Sequence, residues 1–384
     1  MKIIYLTTSM LPFDFQSLME KCEIKPNPSN QNFHHNLISL LAKDHRVDVV
    51  SIRPVSPATS DMKFFPSSIV DNYYYVGFHN TKMRRRIDLT INSQSIIKSL
   101  LEINGGDTLL IVDGLSLLLA KIALRIKKLF HLPVLAIYTD NPRNITGVTA
   151  KYINKLEKLY AKFDDFFVIT PALNLHINKF SRPALIYEGM INPSPKINYA
   201  IQKKYGRYFF FAGALYEKYG LQNLIDGFLA SNIDDKLLIA GHGPGMQIVL
   251  DAQAKCQRII YLGMLSEQMV AEYAVSALAC INPRPLNESF DLQSLPSKVL
   301  QYLNSGVPVI SSKHPRLYQV FKNDIIWLKD TSSATIKETL EQVALDPYQF
   351  QVMAKKGKMD VEKYYGQDSV RQRINAFLAK NINF

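Results

Sequence analysis

The chain is short of the residues on which several classes of protein depend. It has three cysteines in 384 residues, Cys22, Cys256 and Cys280. None stands at a CxxC or zinc-ligand spacing, which excludes a disulfide framework and a structural zinc site. A reducing, cytoplasmic setting is expected. None of the eight histidines falls in a metal spacing, and no Asp-x-Asp pair occurs, so no metal and no cofactor are expected. The first apolar run leads into TTSMLPFDF, which has no glycine. A dinucleotide-dependent oxidoreductase would carry its GxGxxG fingerprint there. Long hydrophobic runs are missing too. The most apolar stretch, residues 108–124, is interrupted by Asp113, Gly114 and Lys121, so no membrane span is expected. The opening MKIIYLTTSMLPFDF reads as a strand and a loop rather than a signal peptide. No zinc finger or RNP-like strand is present, so no nucleic-acid partner is expected.

What remains is an ordinary globular composition, 47% hydrophobic and 20% charged. The length exceeds one hydrophobic core and suits two domains. The net charge is +12, with +7 in residues 1–192 and +5 in 193–384. A basic balance draws polyanions, here a phosphorylated ligand and an anionic membrane surface.

Short apolar runs alternate with longer helical patterns, the rhythm of an α/β protein with parallel sheets. Strands are predicted at Ile3–Thr7, Val47–Ile52, Tyr73–Phe78, Thr108–Val112, Val134–Tyr138, Phe166–Ile169 and Ala184–Tyr187. The second half adds Tyr208–Ala212, Lys236–Ala240, Ile259–Leu262, Ala277–Asn282, Val307–Ser311 and Ile325–Leu328. The Pro-containing segment Met190–Gly206 reads as the connection between halves. A last helical pattern runs from about Met359 to Leu378.

The most informative stretch is Ile281–Ser312, INPRPLNESFDLQSLPSKVLQYLNSGVPVISS. A strand ends in Asn-Pro-Arg, a polar loop follows, and Leu-Pro-Ser-Lys opens a helix. A polar loop delivered to a helix N-terminus suits a phosphate, because free N–H groups and the helix dipole both favour negative charge. Lys298 adds a cation there, and Ser297 reads either as a phosphate ligand or as an ordinary helix cap. In RYFFFAGALYEKYGLQNLIDGF a strand ends at Gly213 and Lys218 sits in the loop before a helix. Lys218 reads equally as a phosphate ligand or a solvated lysine. In KLLIAGHGPGMQIV, Gly241 and Gly243 follow a strand, and a ligand loop and a tight turn fit equally.

Taken together, FAGALYEKYGLQNLIDGF, LLIAGHGP, IIYLGMLS and INPR…LPSKVLQYLNSGVPVIS resemble the nucleotide-sugar-binding half of a GT-B glycosyltransferase of family 4. The PSK opening is similar to a branch in bacterial surface-polysaccharide synthesis. The resemblance covers most of residues 207–330 and is looser over 1–190. It implies two Rossmann-like doubly wound domains facing across a cleft: an acceptor domain over 1–192, a nucleotide-sugar domain over 193–358, and a helix over 359–384 returning to the first. It also implies a retaining, metal-independent transfer from a nucleoside diphosphate sugar, UDP-linked by preference, to a glycan or lipid-linked glycan. The sugar nucleotide is a co-substrate rather than a cofactor.

The resemblance carries Asn32, Gly213, Lys218, Gly241, Gly243, Arg284, Glu288, Gln293, Ser297, Lys298 and Gln301 into the nucleotide-sugar site. Lys218 and Lys298 are the cations expected on the leaving diphosphate, with the Ser297 amide beside them. Asn30, Gln31 and Asn32 match the family's usually Gly-rich loop after the first strand. Asp140, at the end of a strand in VLAIYTDNPRNITG, reads either as the group orienting the acceptor hydroxyl or as a turn cap. Where the family places two glutamates with seven residues between them, this chain has Gln293 and Gln301, or alternatively begins the motif at Glu288. An amide can hydrogen-bond a hydroxyl but carries no charge. A non-catalytic binding subunit partnering an active transferase is the alternative those amides raise. His34 and His35, at the start of the helix that follows, read either as groups reaching the cleft or, by preference, as surface imidazoles.

Three basic clusters mark the first half: KMRRR (Lys82–Arg86), AKIALRIKKLF (Lys121, Arg125, Lys127, Lys128) and KYINKLEKLYAKF (Lys151, Lys155, Lys158, Lys162). In the last, lysines line one helical face and apolar residues the adjoining one, a pattern that suits either anionic lipid or core packing. A peripheral position on the inner face of the membrane is expected.

Overall fold

The computed structural model describes residues 1–382 except 23–25, 27, 104, 105, 146 and 287–291. The chain divides into two compact units, Met1–Gly189 with Arg371–Phe384, and Met190–Val370.

The first unit is built on an eight-stranded sheet. Across it the order is Ala184–Ile186, Asp165–Val168, Val134–Tyr138, Thr108–Asp113, Lys2–Thr7, Arg46–Ser51, Tyr73–Tyr75 and Ser68–Val70. All neighbours are parallel except the last pair. The predicted strand Tyr73–Phe78 is broken. Tyr73–Tyr75 stays in the main sheet, whereas Phe78–His79 pairs antiparallel with Phe64–Phe65. The break falls at Gly77, whose N–H donates to Ser67 Oγ at 3.0 Å. The pattern Met359–Leu378 is two helices rather than one, Gln351–Tyr365 and Gln367–Asn381, parted at an extended Gly366. Within the first unit, Arg371 and Asn375 of the second helix donate to the Asp44 carboxylate. Phe377 packs on Phe167.

Asp165, at the start of its strand, is buried and one of its carboxylate oxygens has no hydrogen-bond partner. Burial, with Asp164 beside it, pushes its carboxyl up to about 6. The folded protein therefore holds this proton more tightly than the unfolded chain does. The ionised group disfavours folding above pH 6, and that deficit fades as pH falls toward the ordinary carboxylate range. Asp165→Asn is expected to stabilise the protein by about 1 kcal/mol at pH 8 and to leave it unchanged near pH 4. Urea melts at the two pH values check this, and a stability loss at pH 8 would overturn it.

The second unit carries a six-stranded parallel sheet in the order Ile259–Tyr261, Lys236–Ala240, Tyr208–Ala212, Ala279–Asn282, Val309–Ser311 and Ile326–Trp327. In chain order this is 3-2-1-4-5-6, the doubly wound arrangement, whose switch point lies between the first and fourth strands. Alternation along Tyr208–Ala212 sends Tyr208, Phe210 and Ala212 into one core and Phe209 and Phe211 into another. Helices Leu221–Leu229, Met246–Lys255 and Ser333–Leu345 cover the second core. Helices Glu267–Val275, Ser297–Ser305, Pro315–Phe321 and Gln351–Tyr365 cover the first. A sheet buried on both faces is why its strands read as unbroken apolar runs. The segment Met190–Gly206 belongs to this unit and forms the helix Tyr199–Tyr205, capped by Asn198.

Candidate functional site

In the second unit, the loops leaving the carboxyl ends of the first and fourth strands gather most of the expected residues. Lys218 lies in a short 3-10 turn, Glu217–Tyr219, after the first strand. Its ammonium sits 5.4 Å from the ring centres of both Tyr216 and Tyr219. Arg284, just past the fourth strand, lies over the Tyr219 ring at 4.8 Å and donates to Ser294 Oγ at 3.4 Å. Tyr219 therefore carries two cations drawn from the two loops that flank the switch point. Aromatic faces hold cations without neutralising them.

Gly213 and Gly241 close the ends of adjacent strands. Gly213 N–H donates to Ala240 O at 3.0 Å and Gly241 N–H to Gly263 O at 2.8 Å. Gly241 has φ +142°, and a Cβ there would overlap the Gly213 carbonyl oxygen. At Gly243 a Cβ would lie 2.6 Å from Leu215 O. Both glycines thus let two loops lie backbone to backbone, and this packing brings the Lys218 turn alongside the Gly241–Gly245 loop. Sequence spacing left the tight-turn and ligand readings even; the geometry provides a physical reason for the first.

Lys298 is the second residue of helix Ser297–Ser305. That helix is pinned to the first strand by Tyr302, whose hydroxyl accepts from Ala212 N–H at 2.8 Å and donates to Ala212 O at 3.0 Å. Lys298 Nζ donates to Gln301 Oε1 at 2.9 Å, and Gln301 Nε2 donates to Glu267 Oε1 at 3.3 Å. Asn192 Nδ2 reaches the same Glu267 oxygen at 3.4 Å. Burial pulls the Lys298 ammonium below its ordinary value, and Glu267 only partly offsets this. A dehydrated ammonium whose neighbour is an amide rather than a carboxylate is prepared for an anionic ligand.

Ser297 departs from expectation. It is the first helical residue, its side chain exposed, and its N–H donates to Leu295 O at 2.9 Å. The amide expected to face a phosphate is already in a turn, so the helix presents Lys298 instead. Gln293 is half-buried in the segment leading to this helix. Glu288 lies outside the described residues.

Lys218 and Arg284 thus form one group, and Lys298 and Gln301 another. Sequence reasoning missed Tyr219 and Glu267. Glu267 opens helix Glu267–Val275 behind the Ser266 cap, and only the resemblance of IIYLGMLS had marked its neighbourhood.

The first unit has its own polar group at the corresponding switch point, between Lys2–Thr7 and Thr108–Asp113. Asn30, Gln31 and Asn32, expected in a loop, lie in the first turns of helix Pro28–Leu41. Asn32 is exposed, whereas Gln31 is buried and exchanges two hydrogen bonds with the Met10 backbone. His34 is wholly buried, not a surface imidazole. Its Nδ1 lies 2.7 Å from Tyr5 OH and its Nε2 3.5 Å from Asp113 Oδ2. Burial would raise the Asp113 carboxyl, but His34, Leu115 N–H and Asn30 outweigh it and hold the group below its ordinary value. Asp140 Oδ1 accepts from Asn141 N–H at 2.7 Å and Asn144 Nδ2 at 2.9 Å, the work of a turn cap.

Residues 206–345 match the family described as Glycosyl transferases group 1. No curated protein sequence matches the chain. Among solved structures, the chain is similar to sucrose-phosphate synthase from Thermosynechococcus elongatus at 11% identity and TM-score 0.71, covering 99% of each chain. It is similar to HepE from Anabaena in complex with UDP at 12% identity and TM-score 0.68, covering 99% of this chain and 100% of that one. The lipopolysaccharide outer core galactosyltransferase WaaB is similar at 14% identity and TM-score 0.62, over 100% of both. Identities this low show the fold. The match over residues 206–345, within the second unit, supports a glycosyltransferase, and the solved structures show that the chain has the GT-B fold.

Proposed function

We propose that the chain transfers a sugar, with retention of anomeric configuration, from a nucleoside diphosphate sugar to a glycan or lipid-linked glycan in cell-surface polysaccharide synthesis. The observation that carries this is the cation set at the switch point of the second sheet: Lys218 and Arg284 on Tyr219, and a dehydrated Lys298 at a helix start. A departing diphosphate develops negative charge, and fixed cations in a partly dry site stabilise it without the reorganisation that water requires. Fixed side-chain cations can take the place of a divalent metal on a leaving diphosphate, which supports a metal-independent transfer. Glu267 supports the catalytic reading over the non-catalytic one. It sets a carboxylate beside Gln301, where the family's pattern led us to expect a glutamate. A uridine donor is the first choice, since HepE, to which the chain is similar, was solved with UDP. Asp140 is assigned to holding the shape of its loop.

Calorimetric titration with UDP, GDP and dTDP, each with EDTA present, tests this reading. One nucleotide is expected to bind at least tenfold more tightly than the others, with affinity unchanged by EDTA. Absence of binding by all three would overturn the donor site, and abolition by EDTA would overturn the metal-independent reading.

A further inference from the structure

The helix Arg84–Ile103 buries Leu89, Ser93, Ile97 and Leu100 against the first unit. A second apolar stripe points away from that face: Met83 is 83% exposed, and Ile87 and Ile91 are each 57% exposed. These three recur every four residues. Ile87 and Ile91 each precede a buried position by two residues, about 200° around the helix. Two apolar stripes on opposite faces exceed what packing needs.

Beside this helix packs Leu117–Phe130. Its outer side opens a cavity of about 580 Å³ lined by Lys121, Arg125, Lys127, Lys128, His131 and Lys162. Leu124 and Leu159 supply the apolar part of the lining. Among the described residues, Asp164 is the only carboxylate paired with any of these cations, through Lys127 at 2.5 Å. The helix that carries the stripe packs on the helix that opens the cavity. Burial pulls Lys121 below its ordinary value, and the charges of Arg86 and Lys155 add to the effect; Arg86 belongs to the helix that carries the stripe. Crowded like charges that outnumber their carboxylates are relieved by an anion that arrives from outside.

We propose that the stripe and the basic cavity form one membrane-docking surface for an anionic phospholipid bilayer, with Met83, Ile87 and Ile91 entering the acyl boundary and the cavity holding a headgroup phosphate. An apolar ridge beside a basic cavity matches a bilayer surface, which offers hydrocarbon and phosphate side by side. A soluble phosphate has no use for the ridge, and a folded partner of the right shape would not depend on lipid charge. Of the two sequence readings of the segment 151–163, its burial favours core packing: Leu156, Tyr160 and Phe163 are buried and Ile153 and Leu159 half-buried, so the segment adds Lys162 and the edge of Leu159 to the cavity. The inference rests on the lipid-linked acceptor reading for its purpose, but the binding itself does not.

The test is flotation of the full chain with vesicles of phosphatidylcholine alone, and of phosphatidylcholine with about one-third phosphatidylglycerol. Binding to the anionic vesicles only is expected. The triple variant Lys121→Gln, Arg125→Gln, Lys128→Gln is expected to lose about a hundredfold in partitioning, since each basic group near such a surface contributes roughly fivefold. Ile87→Ser with Ile91→Ser is expected to lose about tenfold. The control triple Lys203→Gln, Lys255→Gln, Lys329→Gln removes the same charge from the second unit and is expected to lose less than threefold. Thermal melts verify that each variant folds. No vesicle binding by the unmodified chain, or equal losses in the control, would overturn the proposal. So would full competition by millimolar inorganic phosphate with the Ile variants unaffected, which would reassign the cavity to a soluble phosphate. UDP titration on the same variants should be unchanged. Failure of UDP to bind the unmodified chain would sink the donor reading and leave the vesicle result standing.

Discussion

Lys298→Met is expected to weaken nucleoside diphosphate binding about thirtyfold while raising the melting temperature of the ligand-free protein. The first half follows from chemistry. A charge-assisted hydrogen bond from a partly dehydrated ammonium to a phosphate oxygen is worth about 2 kcal/mol, and each 1.4 kcal/mol is about tenfold in affinity. The second half follows from the environment. Burial holds the folded-state Lys298 below its ordinary value of 10.5, so the folded protein binds this proton less tightly than the unfolded chain. At neutral pH that difference opposes folding, and it disappears only as pH rises above 10.5. Methionine keeps the length and apolar bulk and removes the charge. A structural lysine would behave in the opposite way, because its loss would take from Gln301 Oε1 the donor it accepts from and lower stability. Calorimetry with UDP and a thermal melt, performed on one sample, separate the cases. Unchanged affinity, or a fall in melting temperature, would remove Lys298 from the donor site.

The parts of this protein that were legible in its sequence are those where one local signal decides the structure. Strands buried on both faces show as short β-branched and aromatic runs, so Val134–Tyr138, Tyr208–Ala212 and Lys236–Ala240 fall where periodicity puts them. The strands at Phe64–Phe65 and Ser68–Val70 are only two and three residues long, too short for any period to show. Asn30–Asn32 reads as a loop because the resemblance sets it against the family's usually Gly-rich loop after the first strand. Yet a proline is well suited to the first position of a helix, where its missing N–H leaves no gap, and Pro28 begins this one. His34 was read as surface because its partners, Tyr5 and Asp113, come from two strands that only the folded sheet brings together. The donor site divides in the same way. Lysines after strand ends and at a helix start are visible in sequence, whereas Glu267 beside Gln301 is a product of helix packing.

Gly241→Ala is expected to be the most damaging single-methyl change in the second unit, lowering its stability by about 3 kcal/mol or more. Two effects combine. The residue adopts φ +142°, a conformation that costs an L-residue about 1–3 kcal/mol. The new methyl would also overlap the Gly213 carbonyl oxygen, a backbone atom that moves only if the two strand ends separate. In a unit of this size about 3 kcal/mol corresponds to a melting shift of roughly 10 °C. The displacement falls on the turn that places Lys218 and Tyr219, so UDP affinity is expected to fall with stability, even though the substitution adds no charge and removes no polar group. Gly263→Ala supplies the contrast. Gly263 also has positive φ, +71°, but a Cβ there meets nothing within 4 Å, so only the conformational cost of about 1–2 kcal/mol applies and UDP affinity should hold. Equal losses in the two variants would show that the backbone contact between Gly241 and Gly213 contributes nothing beyond the strain of positive φ. A Gly241→Ala protein that melts normally and still binds UDP would show that the two loops separate freely, and the close backbone packing assigned to this site would be wrong.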